Sequence, residues 1–355
     1  MSLRMPAFAA APIKSWARVA LMALAVLTAA CGQTSSELHR VEETRVSMGS
    51  KLTLIAWVAD EAAARSAFEA VFAEFDRLDA LLSVWKAGSD VLRINAAAGH
   101  EAVLVAPETL EVVEAAMDMS ERTNGMFDIT FGALADVWKF DHDQDGAIPT
   151  AAQIAERLPL VGYRNIVLSR RGKTVYLSRP GMRLHLGGIG KGYAVDRSVA
   201  ILREQGLRDF MIQAGGDLYV AGSKGDRPWR LGIADPRAAD GPPFAIVELR
   251  DKTLSTSGDY ERFFMKDGVR FHHILDLRTG QPARESRSVT LVTSKAVLAD
   301  ALAKGVFILG PEQGMALIER MPDVEGVIVS ATNDVLISSG LKDKVTIAHP
   351  PTDAP

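Results

Sequence analysis

Apolar residues recur at three- and four-residue steps along residues 61–83, at Phe68, Val71, Phe72, Phe75, Leu78, Leu81 and Leu82, a spacing that predicts one long amphipathic helix. A second helix is expected over 108–122, closed by Asn124-Gly125, and further helices over 193–205, 296–309 and 312–319. Runs rich in β-formers mark strands at 52–58 (LTLIAWV), 166–168, 174–177, 210–213, 218–220, 245–249, 288–292, 327–330 and 335–338. Strands and helices are interspersed without a strict βαβ alternation, which points to an α+β fold rather than a doubly wound sheet. There is no internal repeat, and the turn-rich stretch 235–243 is the one break in the pattern, so a single interlocked body is expected.

The N-terminus follows a different pattern. Arg4, Lys14 and Arg18 precede the unbroken apolar run 19–30 (VALMALAVLTAA), which has the length of a signal-peptide core and is too short to span a bilayer. Cys31, the only cysteine, follows directly, as in bacterial lipoproteins that carry a thioether lipid; an ordinary cleaved signal with an incidental cysteine is the alternative. The expected organisation is a signal peptide (1–30), a lipid-anchored tether (31–45), one body (46–345) and a disordered tail (346–355). The expected location is the periplasmic side of the envelope. A body without another thiol has no disulfide, thiolate metal site or cysteine nucleophile. The chain has 355 residues, 48% hydrophobic and 24% charged, with a net charge of -4 and no basic stripe. That balance argues against nucleic acid and leaves a small molecule or a protein as partner.

Four constellations carry candidate chemistry. Residues 186–196 (LGGIGKGYAVD) place four glycines ahead of a helix, which lets the backbone approach a ligand and aims the positive helix end at an anion, with Lys191 adding a charge. The spacing matches neither a Walker A loop nor the Rossmann fingerprint, so tight packing and phosphate binding stand level on this run alone. Residues 141–146 (DHDQDG) imitate the start of a calcium loop but have Ala152 where a bidentate Glu is needed, and read as a solvated loop. His272 and His273 follow a strand-like run, so they point to opposite faces: one is expected to be exposed, the other to serve as a general base. Asp300 and Lys304 stand four apart on an apolar helix, a setting that suggests a buried pair rather than a surface one.

In their order along the chain these pieces resemble the ApbE family of FAD:protein FMN transferases, from about Met48 to about Gly310. The markers are Met48-Gly49-Ser50; Ser83-Val84-Trp85; Gly125-Met126-Phe127-Asp128-Ile129-Thr130; the glycine run; Ala214-Gly215-Gly216-Asp217; Ser257-Gly258-Asp259-Tyr260; His273-Ile274-Leu275-Asp276; and Ala299-Asp300-Ala301. The resemblance implies an ApbE-like (T-fold-like) body that splits FAD at its pyrophosphate. FMN would pass to a Thr or Ser hydroxyl of an acceptor flavoprotein in a membrane or periplasmic redox complex, with AMP released. It further implies that Met48, Trp85, Met126, Phe127, Asp128, His185, Gly187, Gly188, Lys191, Asp259 and Ile274 line the FAD site. His273 and Asp300 would carry the catalysis, His273 as the base. A magnesium ion would be held by the Gly188 carbonyl and the Asp300 carboxylate. The chain departs from the family at His185 (family Asp), Gly190 (Ala), Leu277 (Pro) and Lys304 (Thr). Lys304 stands at a usual metal-ligand position and cannot ligate, so its ammonium is expected to pair with Asp300 and take part of the cation's place. A non-catalytic FAD carrier or assembly factor of the same fold is the alternative.

Overall fold

Eight strands, taken in chain order, lie side by side in one sheet in which each neighbouring pair is antiparallel. They are β1 (His39–Ser47), β2 (Ser50–Val58), β3 (Phe210–Ala214), β4 (Asp217–Ala221), β5 (Lys252–Gly258), β6 (Ser286–Thr293), β7 (Glu325–Ser330) and β8 (Val335–Ile337). The structure, a computed structural model, describes residues 1–2 and 37–354. The signal segment, Cys31 and the first part of the expected tether lie outside the described residues.

Helices α1 (Glu61–Leu82), α2 (Pro107–Arg122), α3 (Gly190–Glu204), α4 (Ala296–Leu309) and α5 (Pro311–Arg320) are long enough to build a layer over this sheet. α1 forms where its spacing demands: Asp60 accepts from the Ala63 N–H at 3.0 Å to cap it, and Ala64, Phe68, Val71, Phe72, Phe75, Leu78 and Leu82 turn inward. α4 is apolar nearly all round and buried accordingly, packed between α3 and strands β5 and β6. Its partner α3 comes very close, because a Cβ on Gly192 would stand 2.3 Å from the Ala296 carbonyl oxygen.

The two helices cap each other. α3 has no capping side chain of its own, and its Gly192 N–H donates to Asp300 Oδ2 at 2.9 Å from α4. α4 in turn presents the Ala296 and Val297 N–H groups to Asp196 of α3, at 2.9 and 3.1 Å. Orphan donors at two helix starts are satisfied by exchange across one contact.

The opposite face of the sheet is covered by a smaller three-stranded sheet, Trp229–Ile233, Ala245–Leu249 and Val345–Ile347. Leu218, Val220, Leu254, Val292, Val327 and Val329 form a second core with its inner face. Because both faces are covered, β6 is buried along its whole length.

Two expectations of chain organisation need correction. The end of the supposed tether is edge strand β1, paired with β2 from His39 to Ser47; of its nine residues only Val41 and Ser47 are buried, which is why its composition reads as a linker. The supposed disordered tail is packed through Ala354. Thr352 donates its N–H and hydroxyl to Asp235 at 2.8 and 2.7 Å, Asn333 donates to the Pro351 carbonyl at 2.7 Å, and Arg287 donates to the Thr352 carbonyl at 3.2 Å. Leu38–Pro355 form one compact unit.

Candidate active site

The glycine run enters α3 through a tight turn in which Leu186 O accepts from both Ile189 N and Gly190 N, at 3.1 and 2.8 Å. Its glycines divide the two roles that the sequence left level. Gly192 is a packing glycine, set against α4. Gly188 faces a cavity, where a Cβ would meet Lys304 Cδ at 3.0 Å and Phe127 at 3.3 Å.

That cavity, of about 310 Å³, is lined by the glycine run, Met126 to Asp128, the β3–β4 turn at Gly215 to Asp217, the end of β5, the stretch His273 to Leu277, and Lys304 and Ile308 of α4. A second cavity of about 480 Å³ adjoins it and holds Met48, Ser83, Val84, Trp85 and His142. Gly49, Phe140, Asp141, His185, Gly187, Lys191 and Arg262 line both, so the two are lobes of one cleft long enough for an extended ligand. Met48 and Gly49 form a two-residue hairpin turn between β1 and β2, both with positive φ, 49° and 69°.

Two ammonium–carboxylate pairs stand at the cleft. Lys191 is hydrogen-bonded to Asp217, which also accepts from Ser255. Burial favours the neutral amine, but the Asp217 and Asp300 carboxylates outweigh it and raise the Lys191 pKa above the ordinary lysine range, so the charge persists. Lys304 pairs with Asp300 Oδ1 and donates again to the Asp300 carbonyl at 2.8 Å. Asp300 is fully buried; burial raises its carboxyl pKa, yet the Lys191 and Lys304 charges outweigh that and leave it lowered. The expected pairing of Asp300 with Lys304 is therefore present. Asp300 itself lies behind the wall rather than on it.

The strand Val269–His272 ends on the first histidine and the second lies in the bend that follows; they have different surroundings, but neither is the exposed one that was expected. His272 is 2% exposed; its Nε2 meets the Ala283 carbonyl at 2.8 Å while Nδ1 accepts from Ile274 N at 3.3 Å. Burial depresses its pKa to about 4 against the bond to Ala283, so it is a neutral structural residue. His273 lines the cavity, and its buried Nδ1 has no hydrogen-bond partner among the described residues. Burial, followed by the Arg262 charge, keeps its imidazole well below the ordinary range and hence neutral.

The cleft assembles most of the expected FAD-site residues: Met126, Phe127, Asp128, His185, Gly187, Gly188, Lys191 and Ile274 in the first lobe, Met48 and Trp85 in the second. Asp128 reaches the wall with its oxygens already taken, by Thr130 N (2.8 Å), Thr130 Oγ1 (2.7 Å) and Tyr163 N (2.6 Å), so it shapes the loop. Asp259 is a correction. Its carboxylate is turned away from the cleft into a bidentate pair with Arg237 at 2.7 and 2.9 Å, both side chains buried. The calcium-like loop is tied by ion pairs of Asp141 with Arg262 and of Asp145 with Lys139, the latter at 2.8 Å, while His142 meets Trp85 edge-on at 4.3 Å. Sequence reasoning gave no role to Arg262 or to Asp217. Asp217 stands in a quoted motif, but its lysine partner comes from another element, and Arg262 has no local signal at all.

Residues 48–328 match the ApbE family. The chain is 34% identical over 298 residues to the FAD:protein FMN transferase of Treponema pallidum (strain Nichols), covering 79% of this chain and 82% of that one. To a protein of the same name from Klebsiella pneumoniae (strain 342) it is 33% identical, covering 83% and 90%. Among solved structures, the ApbE protein of Thermotoga maritima aligns with a TM-score of 0.79 at 32% identity, covering 86% of this chain and 99% of that one. Flavin transferase ApbE from Vibrio cholerae aligns with a TM-score of 0.78 at 27% identity, with the same coverage.

Proposed function

The chain belongs to the ApbE family and is an FAD:protein FMN transferase, and from that premise we propose how its own residues perform the transfer. FAD lies along the two-lobed cleft, with its pyrophosphate over the glycine run. The Lys191 and Lys304 ammonium groups and the N-terminus of α3 supply positive charge there. Phosphoryl transfer depends on position and charge neutralisation more than on covalent help, and these groups provide both.

His273 takes the proton from a Thr or Ser hydroxyl of the acceptor flavoprotein. The hydroxyl oxygen forms a new bond to the flavin-side phosphorus while the bond from that phosphorus to the bridging oxygen breaks. AMP leaves with the bridging oxygen, and the proton passes from His273 to AMP or to solvent. The observation that carries this reading is the cavity-lining His273, neutral and with Nδ1 unpartnered. Ser50 Oγ, also on the cavity and also buried without a partner among the described residues, is a second polar atom suited to a ligand.

The test is incubation with FAD and a threonine-bearing acceptor peptide. Flavin fluorescence that stays on the peptide after denaturation, with AMP released in equal amount, is expected. In His273→Ala transfer should fall by about 10²-fold or more while FAD affinity is retained; unchanged transfer in that variant removes His273 as the base.

A magnesium ion, which the family resemblance implies, needs hard oxygen ligands in near-octahedral array. Here Asp300 Oδ1 holds the Lys304 ammonium, Oδ2 holds the Gly192 N–H, and the lysine stem runs against Gly188. These residues do not fit that ion. For location, the apolar run 19–30 ahead of the lone Cys31 supports a lipid-anchored enzyme on the periplasmic side of the envelope. Among the described residues no helix is long and apolar enough to cross a membrane. Cys31→Ala should move the protein from the membrane fraction to the soluble one; a membrane fraction unchanged in that variant refutes the anchor.

A further inference from the structure

We infer that Lys304 is the resident cation of this site, so that FAD binding and FMN transfer proceed without a divalent metal. The inference rests on the transferase reading and goes beyond it, and it stands on three features of the geometry.

The first is occupancy of the carboxylate. Asp300 is 0% exposed in the middle of α4, with one oxygen on Lys304 and the other, at 2.9 Å, on the Gly192 N–H. The second bond caps α3, so freeing that oxygen for a metal uncaps a helix. The second feature is the fixity of the lysine. Its Nζ is held twice by one residue, through Asp300 Oδ1 and through the Asp300 carbonyl at 2.8 Å. Its stem runs so near Gly188 that a Cβ there would stand 3.0 Å from Cδ and 3.3 Å from Cε. The side chain is 18% exposed, which is not the state of a mobile surface lysine.

The third feature is the remaining donor. An ammonium has three N–H groups and no acceptor. Two are spent on Asp300, and Lys304 lines the cavity, which leaves one for a phosphate oxygen. Lys191, one of whose donors is spent on Asp217, lines the same cavity. Two ammonium groups thus face the pyrophosphate position. They neutralise charge but do not coordinate or polarise as a metal does.

The experiment measures FAD affinity of the purified protein by flavin-fluorescence quenching in EDTA and again in magnesium. Electron paramagnetic resonance follows Mn2+ in the presence of FAD, and acceptor labelling is run in both media. The expected result is an FAD affinity equal within about twofold in the two media, with the manganese signal remaining that of the free ion. Lys304→Thr should bind FAD about tenfold or more weakly in EDTA, recover in magnesium, and retain Mn2+. Wild-type affinity that collapses in EDTA and returns with magnesium overturns the inference and leaves the transferase reading intact. Equal affinity in both media with labelling only in magnesium overturns the claim of metal-free transfer, and labelling in neither overturns it together with the transferase reading. No FAD binding in either medium removes both. If Lys304→Thr fails to fold, the wild-type affinity and manganese measurements decide alone.

Discussion

Adjacent histidines with identical side chains hold opposite assignments because the last residue of a strand and the bend after it meet different surroundings. His272 is neutral and fully hydrogen-bonded next to Phe307, while Nδ1 of His273, at the cleft, has no partner among the described residues. A pH effect follows for the first. Its pKa is about 4 in the fold, below the unfolded value near 6.5. A depressed histidine pKa contributes stability that is complete above 6.5 and is lost as pH falls toward 4. Denaturant titration should therefore give a stability lower by roughly 2 kcal/mol at pH 5 than at pH 7 from this group. His272→Gln should flatten that difference; an equal slope in the variant assigns the loss to other groups. Asp259 gives the companion prediction. Asp259→Ala strands the buried Arg237 guanidinium and should cost about 3–5 kcal/mol, yet leave FAD affinity unchanged, since this carboxylate does not reach the cleft. Weakened FAD binding in a folded variant would restore Asp259 to the site.

At the scale of elements, the site depends on how α3 and α4 are joined. Glycine at 192 lets the backbones approach, and the exchanged caps Asp196 and Asp300 fix the first turn of each helix against the other. Asp196 is not a ligand-binding residue but sets where α4, and so Lys304, begins. Asp196→Ala removes two caps at the start of α4 and should cost about 1–2 kcal/mol, read from the shift in thermal midpoint. Asp196→Asn, which can still accept one such bond, should recover part of it. An unchanged midpoint in the alanine variant would mean that water replaces the carboxylate without penalty.

For the whole molecule, the covered outer face of the sheet matters most. The strand Val345–Ile347 and the segment through Ala354 close the smaller sheet and satisfy Asp235 and Arg287. Deleting 345–355 leaves those buried groups with fewer partners and opens an edge beside Ala245–Leu249. A loss of about 2–5 kcal/mol is expected, and the cleft, whose lining includes none of these residues, should still bind FAD. Full stability after the deletion would mean that the segment is the free tail its composition suggests.

The sequence alone determined what local periodicity encodes: the long helix α1, the end of α2, the whole of α4, and most strands of the large sheet. It also determined, through motifs in a fixed order, the family and the chemistry. Tertiary structure alone decided what depends on a partner distant in the chain. β1 reads as a linker because an edge strand exposes most of its residues and needs only β2 to form. Trp229–Ile233 and the packed C-terminal segment gain their structure from pairing and hydrogen bonds that no short window contains. The four-residue spacing of Asp300 and Lys304 was legible from the start. That the carboxylate also caps a helix more than a hundred residues earlier, and so holds the lysine beside Gly188 at the cavity, required the fold. The same holds for Asp259, whose motif reads as part of the FAD site until Arg237, twenty-two residues away, takes its charge.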